Sequence, residues 1–176
     1  MSFSEAVTTC LRKFATFSGR ASRPEYWWFA LFVLGGGVIL AFLDAALFGV
    51  RAVQVEPGVV EYTSEGFLST GFALVTLLPW LAAGWRRMHD SGRSGLHLLY
   101  PLIVMIGIGG FASLLAGLDT VLAGDLRAIL FGASALVMHV AFLIFLISPA
   151  IVVYWLTRPS EPGPNRYGPN PQEVRP

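Results

Sequence analysis

The chain has 176 residues, 55% of them hydrophobic and 13% charged, with a formal net charge of +1 and a mean hydropathy of +0.64. An average soluble domain carries roughly a quarter charged residues, so a water-soluble fold would have to bury several all-round apolar helices with too little polar surface to cover them. The single cysteine, Cys10, excludes an internal disulfide.

At the N-terminus Phe3, Val7, Cys10, Leu11, Phe14 and Phe17 recur at helical spacing, with Ser2 and Glu5 placed as a capping box. This predicts an amphipathic helix, either lying along the membrane surface or packing its apolar face under the bundle. In GRASRPEYWW, Ser22 is placed to cap the next helix, Pro24 falls in its first turn, and Glu25 stands three residues after the cap. The first apolar run starts near residue 26, is longer than a leader's apolar core and follows this charged segment, so no cleaved leader is expected.

Four stretches lack Asp, Glu, Lys and Arg: 26–43, 66–85, 98–118 and 128–157. About 20 apolar residues cross ~30 Å of hydrocarbon as a helix, so each stretch can make one span. The expected fold is an all-α integral membrane protein with four transmembrane helices, about 26–48, 67–85, 98–118 and 130–156, and an N-terminal amphipathic interfacial helix. Residues 1–25 form a cytoplasmic N-terminal segment, 26–157 the transmembrane domain, and 158–176 a Pro/Gly-rich cytoplasmic tail that runs along the surface or is partly disordered. Between the first two spans, the alternation in VQVEPGVVEY fits a small external hairpin. In the third, Gly109, Ser113 and Gly117 share a face where another helix can approach closely.

Orientation follows from the basic residues. Ten of the twelve fall on one side: Arg12, Lys13, Arg20 and Arg23; Arg86, Arg87 and Arg93; Arg158, Arg166 and Arg175. Arg51 and Arg127 fall on the other, among five acids. Lys and Arg are retained on the cytoplasmic side, so both termini are expected there. Tyr26, Trp27, Trp28, Trp85, Tyr100, Tyr154 and Trp155 agree, all lying at ends of spans on that side.

RRMHDSGRSG, residues 86–95, then becomes a short cytoplasmic turn between the second and third spans. Arg20, Arg23, Arg86, Arg87, His89, Asp90, Arg93 and Arg166 could converge on one basic surface, suited to anionic lipid headgroups or to a protein partner. The blander alternative gives the arginines a topological role, pairs Asp90 with Arg86 at i,i+4, and uses Asn165 to Pro169 to pin the tail. Adjacent His89 and Asp90 suggest a metal-dependent hydrolase only weakly, since His97 and His139 are the sole further histidines. No metal or cofactor is expected. Ser91 and Ser94 lack the orienting partners of a nucleophilic triad, and the glycine runs 35–37 and 107–110 lie inside spans, away from any nucleotide loop. Asp44 and His139 are the ionisable residues within spans: Asp44 about four residues from its span end, His139 buried and placed to bond a neighbouring helix.

GRASRPEYWW, RRMHDSGRSG and NRYGPNP, in this order around four spans, resemble the small bacterial inner-membrane proteins grouped as domain of unknown function 805. The resemblance covers about Phe14 to Pro171. It implies the fold, the membrane and the topology, with no activity attached to the family. Met88 stands where leucine is usual, Leu96 where tryptophan is frequent, and the external loops are long. In this reading Glu25, Asn165, Tyr167 and Gly168 serve the structure. The expected function is that of a non-enzymatic binding or interaction module whose basic face engages anionic lipid, a protein partner or a second copy, and no nucleic acid. A small transporter or channel subunit using Asp44 and His139, and an enzyme acting on phosphorylated lipid through His89 and Asp90, are the alternatives.

Overall fold

A computed structural model of the chain describes residues 1–56, 59–64, 66–125, 127 and 135–173. Helix α1 (Phe3–Arg12) starts with the expected capping box: Ser2 Oγ accepts from Glu5 N (3.3 Å) and Glu5 Oε2 accepts from Ser2 N (2.8 Å). It buries Ala6 and Cys10, the small residues of its apolar face, against the bundle. Helix α2 (Arg23–Phe48) is capped by Ser22, whose hydroxyl accepts from Glu25 N (3.4 Å). Its 26 residues span roughly 39 Å, enough to cross a bilayer with some tilt.

Strands β1 (Arg51–Glu56) and β2 (Val59–Thr63) pair antiparallel, so the otherwise helical chain carries a two-stranded hairpin between its first two spans. Pro57 and Gly58, between the two strands, lie outside the described residues. Helix α3 (Phe67–Asp90) runs back alongside α2, and a 3-10 turn (Gly95–Leu99) leads into α4 (Tyr100–Ala116). After Gly117 come the short α5 (Leu118–Leu122) and then α6 (Ala135–Thr157). The expected start of the fourth span, 130–134, lies outside the described residues.

The long helices form two antiparallel pairs. Glu25 at the start of α2 meets Arg86 at the end of α3, while Asp44 near the end of α2 meets Leu68 at the start of α3. Likewise Tyr100, opening α4, packs 6.0 Å from Trp155, near the end of α6. Four helical segments, Arg23–Phe48, Phe67–Asp90, Gly95–Leu115 and Leu136–Thr157, are long and apolar enough to cross a membrane. Their outward faces are apolar: Leu114 and Leu136 are each 79% exposed, as suits side chains whose solvent is lipid.

The tight core gathers at one end. Tyr26, Phe29, Ala30 and Val33 of α2 pack with Cys10, Ala83, Met88, Val152 and Leu156. Because both termini and most basic residues sit there, it is called the basic end below.

Two expectations need correction here. Arg86–Asp90 form no loop; they are the last residues of α3, and the turn is Ser91–Ser94, with Gly92 at φ 76°. A span read from composition stops at the first charge, but a helix continues wherever its charges find partners. Among the described residues the small-residue face of α4 is also not a packing seam at Gly109, where a Cβ would meet nothing within 4 Å, and Ser113 Oγ instead bonds back to Gly109 O (2.8 Å).

Candidate functional site

At the basic end three guanidinium groups and two carboxylates are buried together: Arg20, Arg86 and Arg87 with Glu25 and Asp90. Burying such charges is costly unless each is paired and hydrogen-bonded, and this cluster meets that condition almost throughout. Arg86 and Arg87 are adjacent on α3, yet they serve different segments.

Arg86 reaches the N-terminal linker. Its Nη2 donates to Glu25 Oε1 (3.1 Å), and its Nη1 to Thr16 O (2.6 Å) and Lys13 O (3.4 Å). Its Nε is the one guanidinium nitrogen of the cluster buried without a partner among the described residues. Arg87 serves the end of α6, where orphan helix carbonyls need donors. Its Nε donates to Leu156 O (2.9 Å), one Nη to Arg158 O, and the other to the Asp90 carboxylate.

Arg20 joins three segments. It donates from Nε to Asp90 Oδ1 (2.9 Å), from Nη1 to Gly163 O (2.8 Å) and Gly168 O (3.4 Å), and from Nη2 to Glu161 O (2.6 Å) and Asp90 O (3.3 Å). Asp90 in turn accepts from Arg20, Arg87 and Ser160 Oγ (2.6 Å), so its carboxylate is fully engaged. The expected Arg86–Asp90 pair is replaced by Arg86–Glu25 and Arg87–Asp90, because the turn of α3 points residue 86 toward the linker and residues 87 and 90 toward the tail.

The tail folds back onto this cluster. Asn165 and Gly168 exchange backbone hydrogen bonds, and Tyr167 N donates to Asn165 Oδ1 (2.9 Å). Asn165 Nδ2 donates to His89 O (3.0 Å) and Glu161 Oε2 (2.8 Å). The Tyr167 ring stacks on His89 at 3.7 Å and 3°. His89 Nδ1 lies 3.1 Å from Gly19 O, an acceptor, which places the proton on Nδ1. Residues from GRASRPEYWW, RRMHDSGRSG and NRYGPNP are thus in contact.

The eight residues grouped as one basic face divide into two sets. Arg20, Arg86, Arg87, His89 and Asp90 point inward. Arg23 and Arg166 are exposed and Arg93 half-exposed, with Arg93 over the Trp155 ring (5.6 Å) and Arg166 over Tyr167 (4.7 Å). Arg158, outside that group, lies over Tyr154 (5.6 Å) and bonds its hydroxyl (3.1 Å). Arg93, Arg158, Ser91, Ser160 and Glu161 line a cleft of about 290 Å³. Ser160, Glu161 and Arg158 were missed as site residues; the Pro-rich stretch around them signals only a turn.

Chemically, the cluster holds segments together. Ser91 Oγ is used by Met88 O (3.1 Å), and among the described residues no three His, Cys, Asp or Glu side chains are placed to share a metal ion. Asp44 is a helix cap with its side chain buried: Oδ1 and Oδ2 accept from Leu68 N and Ser69 N, each at 2.8 Å, satisfying the first turn of α3. His139, expected inside, is exposed on α6.

A family model described as "Protein of unknown function (DUF805)" matches residues 14–169. Inner membrane protein YhaH of Escherichia coli (strain K12) is 37% identical over 97 residues, covering 55% of this chain and 72% of its own length. Inner membrane protein YhaI of the same strain is 36% identical over 97 residues, covering 55% and 70%. No solved structure matches the chain.

Proposed function

Because the chain belongs to the DUF805 family of membrane proteins, whose description carries no activity, we propose that it is a lipid-binding module whose basic end faces the cytoplasm and holds anionic headgroups. The observation that carries this reading is the division of the arginines. Arg20, Arg86 and Arg87 are consumed by internal acceptors, whereas Arg23, Arg93, Arg158 and Arg166 surround the same end on the outside, three of them against aromatic rings. Guanidinium groups beside interfacial aromatics combine a forked phosphate donor with a ring that prefers the headgroup level. Each such cation near an anionic leaflet contributes about 1 kcal/mol.

The test is lipid selectivity in nanodiscs mixing phosphatidylglycerol and phosphatidylcholine, read from spin-labelled lipid held at the protein surface. The parent should prefer phosphatidylglycerol, less so at high salt, and a variant with all four surface arginines changed to Gln should not. Equal selectivity for both lipids in the parent would defeat the reading. The orientation has its own check. In a Cys10→Ala background, Gly124→Cys should react with an impermeant thiol reagent in intact cells and Ser91→Cys should not; the reverse pattern would invert the topology.

A further inference from the structure

We propose that the groove between α2 and the tail is a specific site for one anionic glycerophospholipid, with the phosphate on Arg23 and an acyl chain along Trp27, Trp28 and Leu31. The proposal rests on the lipid-binding reading above and assigns it a place. The groove, about 550 Å³ and open to the outside, is lined by Arg23, Pro24, Trp27, Trp28, Leu31 and Gln172, a volume in the range of small-molecule sites.

Positions 23, 24, 27, 28 and 31 lie on one face of α2, and from Arg23 to Leu31 the helix rises roughly 12 Å. That distance takes a ligand from the headgroup phosphate to the upper hydrocarbon. The same face continues outward through exposed Leu34 and Val38, so an acyl chain can follow it into the bilayer. The indoles are held in place: Trp28 meets Phe3 edge-on at 6.0 Å and Trp27 meets Tyr26 at 5.2 Å. Gln172 is fixed across the groove by its N–H to Asn170 Oδ1 (3.0 Å).

Charge selects the headgroup. Unlike the arginines of the buried cluster, Arg23 makes no hydrogen bond or ion pair among the described residues, so its donors are free for a phosphate. The nearby acids are occupied. Glu25 is paired with Arg86, and Glu173 Oε1 accepts from Gly163 N (3.1 Å) and Asn170 Nδ2 (2.8 Å). A peptide fits poorly, because the deep half of the groove faces hydrocarbon, where an extended backbone would have no hydrogen-bond partners.

The full-length protein in detergent micelles is titrated with phosphatidylglycerol and, separately, phosphatidylcholine, and one-to-one adducts are counted by native mass spectrometry. Phosphatidylglycerol should bind more tightly by about fivefold. Arg23→Gln should bring the ratio close to one, Arg23→Lys should retain part of it, and Trp28→Ala should weaken both lipids alike. Arg51→Gln, the same charge change at the hairpin end, should leave the ratio unchanged. Arg23 makes no hydrogen bond or ion pair among the described residues, so its replacement should leave the fold intact.

An unchanged ratio in Arg23→Gln overturns the groove. If Arg93→Gln with Arg158→Gln abolishes the ratio while Arg23→Gln does not, the groove is wrong and the basic-face reading stands. A parent that binds both lipids equally overturns both. A dimer that replaces the lipid adduct and is lost in Trp28→Ala makes the occupant a second copy and overturns the proposal.

Discussion

Replacing Arg20 separates a structural arginine from a surface cation. In the structure its guanidinium ties the tail to α3 through Gly163 O (2.8 Å) and Glu161 O (2.6 Å), with a longer contact to Gly168 O (3.4 Å). A hydrogen bond from a charged donor contributes ~1.5–3 kcal/mol, so the two short bonds amount to roughly 3–6 kcal/mol. The lower end of that range, ~3 kcal/mol, corresponds to about 150-fold in the population of the released tail. Trypsin can read that population. Arg158 and Arg175 precede prolines, so the bond after Arg166 is the one susceptible bond in residues 159–176. When opening is fast relative to cleavage, the rate follows the open fraction. Arg20→Ala should therefore raise the cleavage rate by about two orders of magnitude. Arg20→Lys keeps the charge but not the fork and should raise it by about tenfold. Arg20→Ala within threefold of the parent, or Arg20→Lys indistinguishable from it, would refute the clamp and return Arg20 to the surface set.

Asp44→Asn should destabilise by about 2 kcal/mol and Asp44→Ala by about 4 kcal/mol, because Asp44 supplies two charged acceptors to the first turn of α3. Unfolding in a detergent series checks this, and an Asn variant as stable as the parent would remove the cap. Burial, reinforced by the Glu25 carboxylate, pushes the Cys10 thiol from the ordinary 9.0 up to about 12. The folded state thus favours the protonated thiol; the stability this contributes is complete below pH 9 and is lost as the pH rises toward about 12. At pH 8 a maleimide should label unfolded protein readily and folded protein hardly at all; equal rates would contradict the burial. A Cβ at Gly95 would run into the Trp85 indole, so Gly95→Ala should cost about 1–3 kcal/mol in the same unfolding assay, and a neutral result would mean the ring can move aside.

Much of the local structure was legible in the residues. Ser2 with Glu5, and Ser22 before Pro24 and Glu25, are signals whose partners lie three residues away, and both caps form. The VQVEPGVVEY alternation marks two strands that pair antiparallel. Span ends were less legible: α3 runs to Asp90 instead of stopping at Trp85, since apolar content cannot show that Arg86 and Arg87 will be buried against partners. For the tail, Asn165 to Pro169 named the segment that pins it, but Pro and Gly report only what a segment cannot form, so its partners His89, Arg20 and Glu161 came from the structure.

The sequence by itself determined that this chain has four apolar helices for a membrane and collects its basic residues at one end. Those properties are sums over many residues, set by transfer free energy and helix length, and survive uncertainty at any one position. Only the tertiary structure decided which arginines are inside. Arg20 meets Asp90 across 70 positions and Arg86 meets Glu25 across 61, and the rotation of α3 about its axis chooses between adjacent Arg86 and Arg87. One residue along a helix turns a side chain by about 100°, so linker or tail, carboxylate or carbonyl, is settled by packing alone. The same packing gives Asp44 its place against the first turn of α3 and leaves Arg23 exposed at the groove.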